Sequence, residues 1–404
     1  MIPDLVLVVL PNTYLTNPLM YFPLGVLSLA AIARFYEYSV EIVDLRDKQP
    51  DPSLIPEAHF VGFSSTTGQI DDAKLLLKGV SGTSIIGGAH ATLLPYDCHD
   101  FDLVVKGEGE YTLLNILYGK HNRGIINSER ITLLDNLPMP AWDLLPPERL
   151  FNRELFPGEK YGSGELAATV MGSRGCPYMC AFCGNLFRKP VIYLNPVRYA
   201  HEIATLRNTY GIRYFRLEDD NITLNKLWLR ELCQELKPLN IVFKCHTRPD
   251  IVDEDSLRLL YEAGCAEMGY GVESADNKVL RINHKGFTVE QSIKAIELTQ
   301  KAGIRAKTYL LTGLPGETDG SIEKVKNFMI MAKPDRWTLS RFYPFPGCDV
   351  WSHPDRYGIT FKAKNFKGAW NFYSSPSYQL EGTTVEEMNS RYGELYKWLK
   401  INFP

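Results

Sequence analysis

The chain has 404 residues, enough for roughly two to three domains that each bury a core. Lys and Arg number 44 against 47 Asp and Glu, a net charge of -3 that excludes the basic footprint of a nucleic-acid binder. No stretch is long and apolar enough to span a bilayer, and only three of the eight cysteines cluster, which fits a reducing cytosol rather than a secreted disulfide framework.

The opening MIPDLVLVVLP has no basic residue before its short apolar run and reads as a strand rather than a signal peptide. Over residues 1–130, short β-branched runs alternate with helical patterns. Strands are predicted at Asp4 to Leu10, Val40 to Asp44, Phe60 to Ser65, Thr83 to Gly88 and Asp102 to Gly107. Helices are predicted at Leu24 to Tyr36, over IDDAKLLLKGV, and from Glu110. This alternation argues for a Rossmann-like, doubly wound parallel sheet whose ligand lies beyond the carboxyl ends of the strands. Those ends carry Asn12, Ser64 to Thr67, Gly87-Gly88 and Gly107-Glu108-Gly109, small or polar residues that let a large ligand approach the backbone. Taken singly, each reads as an ordinary strand-to-helix turn.

Residues 131–166 form a proline-rich linker. Pro138, Pro140, Pro146 and Pro147 forbid a continuous helix, while Trp142, Leu144 and Leu145 predict that the segment packs on a surface. From 167 to 351 six strand–helix repeats follow. Their strands are predicted at Ala167 to Met171, Tyr214 to Leu217, Ile241 to His246, Ala266 to Glu273, Ala306 to Gly313 and Arg336 to Phe342. Right-handed crossovers would roll them into a partial (β/α)6 barrel of TIM type, with reactive groups on the C-terminal rim. A capping segment, 352–404, closes the chain. Its aromatic loop is predicted to cover the barrel mouth, and its helix, Val385 to Leu399, buries a stripe of Met388, Tyr392, Leu395, Tyr396 and Leu399.

The first rim loop holds the chemistry. SRGCPYMCAFC places Cys176, Cys180 and Cys183 at C-x3-C-x2-C spacing, short enough for three thiolates to reach one iron–sulfur cluster. Structural zinc and electron-carrying clusters normally take four protein ligands, so a fourth metal position is left for a non-protein group. A zinc knuckle or reduced core thiols are the bland alternatives. His284, a lone histidine before Lys285 and Gly286, reads as a loop residue, and Asp219-Asp220 reads as something other than a metal pair.

Larger patterns then resemble known families. GGAHATLLP (Gly87 to Pro95), KGEGE (Lys106 to Glu110) and DNLPMPAWDLL (Asp135 to Leu145) resemble the cobalamin-binding domain that precedes some radical SAM domains. Many such domains carry D-x-H-x-x-G, whose histidine ligates cobalt. The nearest string here, DCHDFD at Asp97 to Asp102, lacks the glycine, so the resemblance implies cobalamin without a histidine from that motif on cobalt. The implied cobalamin contacts are Ser64, Thr66, Gly87, Gly88, His90, Gly107 and Glu108. The cysteine loop followed by GVES, LTGLPGET and FYPFPG resembles the radical SAM superfamily in its cobalamin-domain branch, through about Trp351.

That resemblance implies a [4Fe–4S] cluster on the three cysteines, with S-adenosylmethionine (SAM) chelating the open iron and cleaved to a 5′-deoxyadenosyl radical. It assigns Phe182 to the adenine, Glu218 and Asp219 to the SAM amine, Arg248 to its carboxylate, Glu273 or Ser274 to the ribose, and Gly313 to backbone approach. Arg248 reads equally well as an ion-pair partner of Asp250, Phe182 as core, and the usual G-G-E triplet is missing after the second strand. The expected activity is cobalamin-dependent C-methylation of an unactivated carbon in a small molecule or peptide. The expected electron donor is a flavodoxin or ferredoxin, in the cytoplasm. Radical cyclisation, oxidation or rearrangement without methyl transfer is the second enzymatic reading, and a non-catalytic cluster or cofactor-binding module the third.

Overall fold

A computed structural model of the chain describes residues 2–12, 15, 17–20, 22–151, 165–361 and 376–404. They fall into two compact units, one up to Ala168 and one from Thr169 on.

The first unit is a six-stranded, wholly parallel sheet. Its strands are β1 (Leu5–Val9), β2 (Val40–Asp44), β3 (Phe60–Ser64), β4 (Thr83–Gly87), β5 (Leu103–Lys106) and β6 (Gly124–Asn127), in the order β2-β1-β3-β4-β5-β6. Helices α1 (Leu24–Phe35), α2 (Ile70–Leu76), α3 (Gly88–Leu93) and α4 (Glu110–Leu117) connect them. Strand β1 is buried throughout because both its faces meet helices. Val6 and Val8 join Phe63, Ile70 and Ala73 on one side, and Leu5, Leu7 and Val9 join Val26, Ala30 and Ile116 on the other. Strand β6 adds an edge that the sequence expectations did not include. Its residues are mostly exposed, so it carries no buried apolar run to announce it.

The proline-rich segment packs on this same unit. Trp142 is buried, Ala141 donates its backbone N–H to Leu27 O at 3.1 Å, and Arg149 on the short α5 (Pro147–Leu150) pairs with Asp44 at 2.9 Å. Residues 152–164 of the expected linker lie outside the described residues.

The second unit carries the other parallel sheet. Strand β7 (Ala167–Val170) leads into a two-residue antiparallel pair, β8 (Ser173–Arg174) and β9 (Ile192–Tyr193). Then come β10 (Tyr214–Leu217), β11 (Val242–Thr247), β12 (Cys265–Glu273), β13 (Arg305–Thr312) and β14 (Arg336–Arg341), and the sheet order β7-β10-β11-β12-β13-β14 follows the chain. Helices α6 (Pro196–Tyr210), α7 (Lys226–Leu236), α8 (Glu254–Glu262), α9 (Asn277–Ile282), α10 (Val289–Lys301) and α11 (Asp319–Ala332) occupy the crossovers. Asn225, Asp253 and Thr288 cap α7, α8 and α10 by accepting from backbone N–H groups three residues on.

This is the expected partial barrel, with α9 and the β8–β9 pair in addition. One face of each strand is apolar and sits under the helices, as with Phe215, Phe243, Met268, Tyr270 and Leu310. The short α12 (Asp349–Ser352) and the antiparallel pair β15 (Ile359–Phe361) and β16 (Tyr378–Leu380) precede the last helix, α13 (Val385–Asn402). Met388, Leu395 and Leu399 of the predicted stripe are buried, while Tyr396 is exposed. Most of the expected aromatic cover, 362–375, lies outside the described residues.

Candidate active site

The cysteine loop leaves the end of β7 and is clamped at several points. Gly175 takes a φ of +112°, and a Cβ there would stand 2.6 Å from Phe187 O, so only glycine fits the turn. Cys176 N donates to Phe187 O at 3.1 Å. Arg188 reaches back to the loop's own carbonyls, Tyr178 O at 2.6 Å and Cys183 O at 3.2 Å. Beneath the loop, Asp219 is 1% exposed and accepts from Gly172 N at 3.1 Å, Ser173 Oγ at 2.5 Å and Tyr199 Oη at 3.1 Å. Burial pushes its carboxyl up to about 6 against those three donors.

The donor set fits an iron–sulfur group. Asn221 Nδ2 lies 3.2 Å from Cys176 Sγ and Arg248 Nη1 3.7 Å from Cys180 Sγ, the kind of N–H contact that stabilises cluster sulfurs. Burial pushes the Cys183 thiol up to about 11 and raises Cys176 as well, so it is a bound cation that would hold these sulfurs as thiolates. Among the described residues no three His, Cys, Asp or Glu side chains converge on a point suited to a single metal ion. A polynuclear cluster, whose irons are spread apart, does not need that convergence.

Other rim segments meet the loop. Ala181 N donates to Asn283 O at 3.0 Å, and the fully buried Asn283 uses Nδ2 to hold Pro315 O at 2.9 Å. One residue after α9 thereby ties the cysteine loop to the GLPGET turn. Gly313 and Gly316 in that turn both have φ of +84°, and Tyr378 Oη donates to Gly313 O at 2.7 Å. Glu317 accepts from Gly313 N at 3.0 Å, and burial pushes its carboxyl up to about 7. Glu273 closes β12 at a register shift with φ of +65°, a conformation that non-glycine residues rarely hold. Its half-buried carboxyl, raised by desolvation, meets Lys285 Nζ at 3.4 Å. Lys285 Nζ also stands 5.4 Å from the Phe182 ring centre, and Phe182 packs edge-on to Phe342.

The residues singled out from sequence therefore divide. Cys176, Cys180, Cys183, Phe182, Glu273 and Gly313 sit on neighbouring rim loops, with Ser274 behind Glu273, its hydroxyl taking the Asp276 N–H. Arg248 sits on the same rim but is occupied. It pairs with Asp250 at 3.0 Å, donates to Lys285 O and stacks 3.6 Å over the Tyr178 ring. Glu218 is held by Arg216, and Asp219 points under the loop. Asn221, Asn283, Lys285 and Glu317 were missed, because an isolated Asn, Lys or Glu carries no spacing signal. The positive φ of Glu273 likewise has none.

In the first unit the strand order reverses between β1 and β3, the switch point at which such sheets bind ligands. There Gln69 Nε2 bridges Asn12 Oδ1 at 2.8 Å and Pro11 O at 3.1 Å, and Thr66 closes a capping box with Gln69. Ser64, Gly87, Gly88 and Gly107 stand at or just past the ends of β3, β4 and β5. Gly88 answers to the protein itself, since a Cβ there would lie 2.8 Å from Ser65. His90 is fully buried, its Nε2 2.9 Å from Asp97, and burial lowers its pKa. Glu108 is committed to Ile131 N at 2.7 Å and to Arg130. The edge fits a large ligand held by backbone and small side chains. His90, which the resemblance places among the cobalamin contacts, is engaged with Asp97 inside the unit.

Residues 170–329 match the family model of the radical SAM superfamily. The chain is 28% identical to an uncharacterised methyltransferase of Pyrococcus horikoshii over 93% of this chain and 86% of that one. It is 27% identical to the anaerobic magnesium-protoporphyrin IX monomethyl ester cyclase of Synechocystis over 78% of this chain and 71% of that one. Its fold is that of the radical SAM methyltransferase TsrM of Kitasatospora setae, solved with cobalamin and a [4Fe–4S] cluster, with a TM-score of 0.68 and 17% identity over 90% of this chain and 82% of that one.

Proposed function

Proceeding from the radical SAM domain at 170–329, for which SAM and a [4Fe–4S] cluster are the cofactors, we propose that the protein is a cobalamin-dependent radical SAM methyltransferase acting on an unactivated carbon. The observation that carries the reading is the three-cysteine loop on the rim of a parallel half-barrel, in a chain that also holds a doubly wound sheet with a glycine-rich binding edge. When bound, the cluster supplies the electron that splits the sulfur–C5′ bond of SAM, and cobalamin supplies methyl carriage.

The chain's own residues bind and orient. Cys176, Cys180 and Cys183 hold the cluster and leave one iron to SAM. Asp219 and Arg188 fix the loop, and Asn221 and Arg248 donate toward its sulfurs. Phe182, Glu273 with Lys285, and the Gly313–Gly316 turn receive the nucleoside. The unit's apolar packing keeps water from a reactive radical. Asp219 serves as a positioning residue and Arg248 as an N–H donor to the Cys180 sulfur, in place of the direct SAM contacts that the family resemblance implied. A single-electron donor such as a flavodoxin or ferredoxin and a cytoplasmic site follow from this chemistry. No described helix is long and apolar enough to cross a membrane.

The relationship to a cyclase favours one competing reading, radical chemistry without methyl transfer. Protein purified anaerobically with cobalamin supplied separates the two. The methyltransferase reading expects both cofactors in the absorption spectrum and label from methyl-labelled SAM in the product. A cluster without cobalamin, or a product without label, leaves the cyclase-type reading.

A further inference from the structure

The guanidinium that the family resemblance assigns to the SAM carboxylate is already committed. Arg248 turns Nε to one oxygen of Asp250 and Nη2 to the other, both at 3.0 Å. That is the bidentate edge with which an arginine grips a carboxylate. Its Nη2 also donates to Lys285 O, and its Nη1 lies 3.7 Å from Cys180 Sγ. A second cation on the same rim stands differently.

Lys285 is only 5% exposed, and among the described residues its Nζ meets a single carboxylate, Glu273 Oε1 at 3.4 Å. A charge-assisted hydrogen bond is usually about 2.7–2.9 Å long, so this contact is loose. An ammonium has three hydrogens to donate, and the rest of this one faces rings, Phe182 at 5.4 Å and Phe287 at 5.1 Å. The fold nonetheless over-determines the pair. Glu273 holds its φ of +65° at a register shift between β12 and β13. Gly271 clears the space beside it, since a Cβ there would stand 2.6 Å from Glu273 Oε1 and 3.5 Å from Lys285 Nζ. Strain of this kind persists only where the surroundings enforce it, and it gathers at ligand sites. Lys285 is also tied to the cysteine loop. Its carbonyl is held by the guanidinium that reaches Cys180, and Phe182, beside its Nζ, lies between Cys180 and Cys183 in the chain.

We infer that Lys285, rather than Arg248, is the residue that holds the carboxylate of SAM, and that it sets a preference for a sulfonium cofactor bearing that carboxylate. A buried ammonium with one loose acid partner has donors to spare for a second carboxylate, and a desolvated site makes that pairing count for more than it would on the surface. Of the pair, Glu273 stays with the nucleoside and Lys285 turns to the amino-acid end. Arg248 keeps the cysteine loop and the Lys285 backbone in place.

This rests on the protein binding SAM at the cysteine rim, and its test reads binding rather than turnover. Calorimetry on cluster-loaded protein compares SAM with decarboxylated SAM, which keeps the sulfonium, nucleoside and amine and lacks only the carboxylate. Wild type, Lys285→Met and Lys285→Arg are titrated with each. Wild type should prefer SAM. Lys285→Met should cut that preference roughly tenfold or more, by weakening SAM while leaving decarboxylated SAM as it was. Lys285→Arg should keep the preference, and what remains of it in the methionine variant belongs to the open iron. A residue that only supported the fold of the rim would weaken both ligands alike. Should Lys285→Met fail to load the cluster, Lys285→Gln replaces it with the same expectation. An unchanged preference, or an equal loss for both ligands, overturns the inference and leaves SAM binding standing. Wild type that binds neither ligand overturns the reading of the site, and the inference with it.

Discussion

Asp219→Ala should cost stability and, more sharply, the cluster. The carboxylate takes three donors that the fold buries: the Gly172 N–H, the Ser173 hydroxyl and the Tyr199 hydroxyl. Leaving each unsatisfied costs about 1–3 kcal/mol. Against this, holding the charge is itself unfavourable. A carboxyl displaced from 3.8 to about 6 gives back ~3 kcal/mol once it is removed above that pH. Three such donors set against that ~3 kcal/mol leave a net loss near neutral pH of roughly 0–6 kcal/mol.

Asp219→Asn keeps an acceptor for Gly172 and Ser173 and should lose far less. The sign of its pH dependence follows from the raised folded pKa. Wild-type Asp219 contributes fully below about 3.8, and that contribution fades as pH rises through about 6. The Asn variant should therefore gain on wild type between pH 4 and pH 8, by up to ~3 kcal/mol. Urea unfolding at several pH values measures the stability, and iron and sulfide content after anaerobic reconstitution measures the loop. An alanine variant that loads iron like wild type and unfolds at the same urea concentration would refute the assignment of Asp219 to loop positioning.

Glu317→Gln keeps the acceptor for Gly313 N but removes a carboxyl pushed up to about 7. Its stability relative to wild type should rise as pH increases from about 4.5 through 7, by up to ~3 kcal/mol in thermal or urea unfolding. Gly316→Ala forces a side chain into φ of +84° with its Cβ 2.4 Å from Ile282 Cδ1. It should lower stability by about 1–2 kcal/mol and raise the KM for SAM more than it lowers kcat, as read by 5′-deoxyadenosine formation.

Much of this architecture can be read from the chain itself. Strand β1 announces itself as LVLVV, and the strands of the barrel recur at even spacing, because hydrophobic periodicity directly reports burial against helices. The cysteine spacing is a short-range constraint and equally legible. What escapes is whatever depends on tertiary geometry. Strand β6 is a mostly exposed edge without an apolar run. Asp219 and Asp220 are adjacent acids in sequence, and only the direction of strand β10 turns the first under the loop. Arg248 has the chemistry of a carboxylate clamp, but Asp250, Tyr178 and Cys180 already surround it. The basic residues on one face of the barrel sheet are scattered over four strands, at Arg216, Lys244, Arg305, Lys307 and Arg336, and are brought together only through register.

The account's central claim is that the loop at Cys176 to Cys183 holds the cluster that cleaves SAM. Its most direct test is 5′-deoxyadenosine formation by anaerobically reconstituted protein given SAM and a strong reductant, beside Cys176→Ala treated identically. Wild type should form 5′-deoxyadenosine, and the variant should form none while retaining any cobalamin bound. Cleavage by a cluster-free variant, or none by cluster-loaded wild type, would contradict the claim.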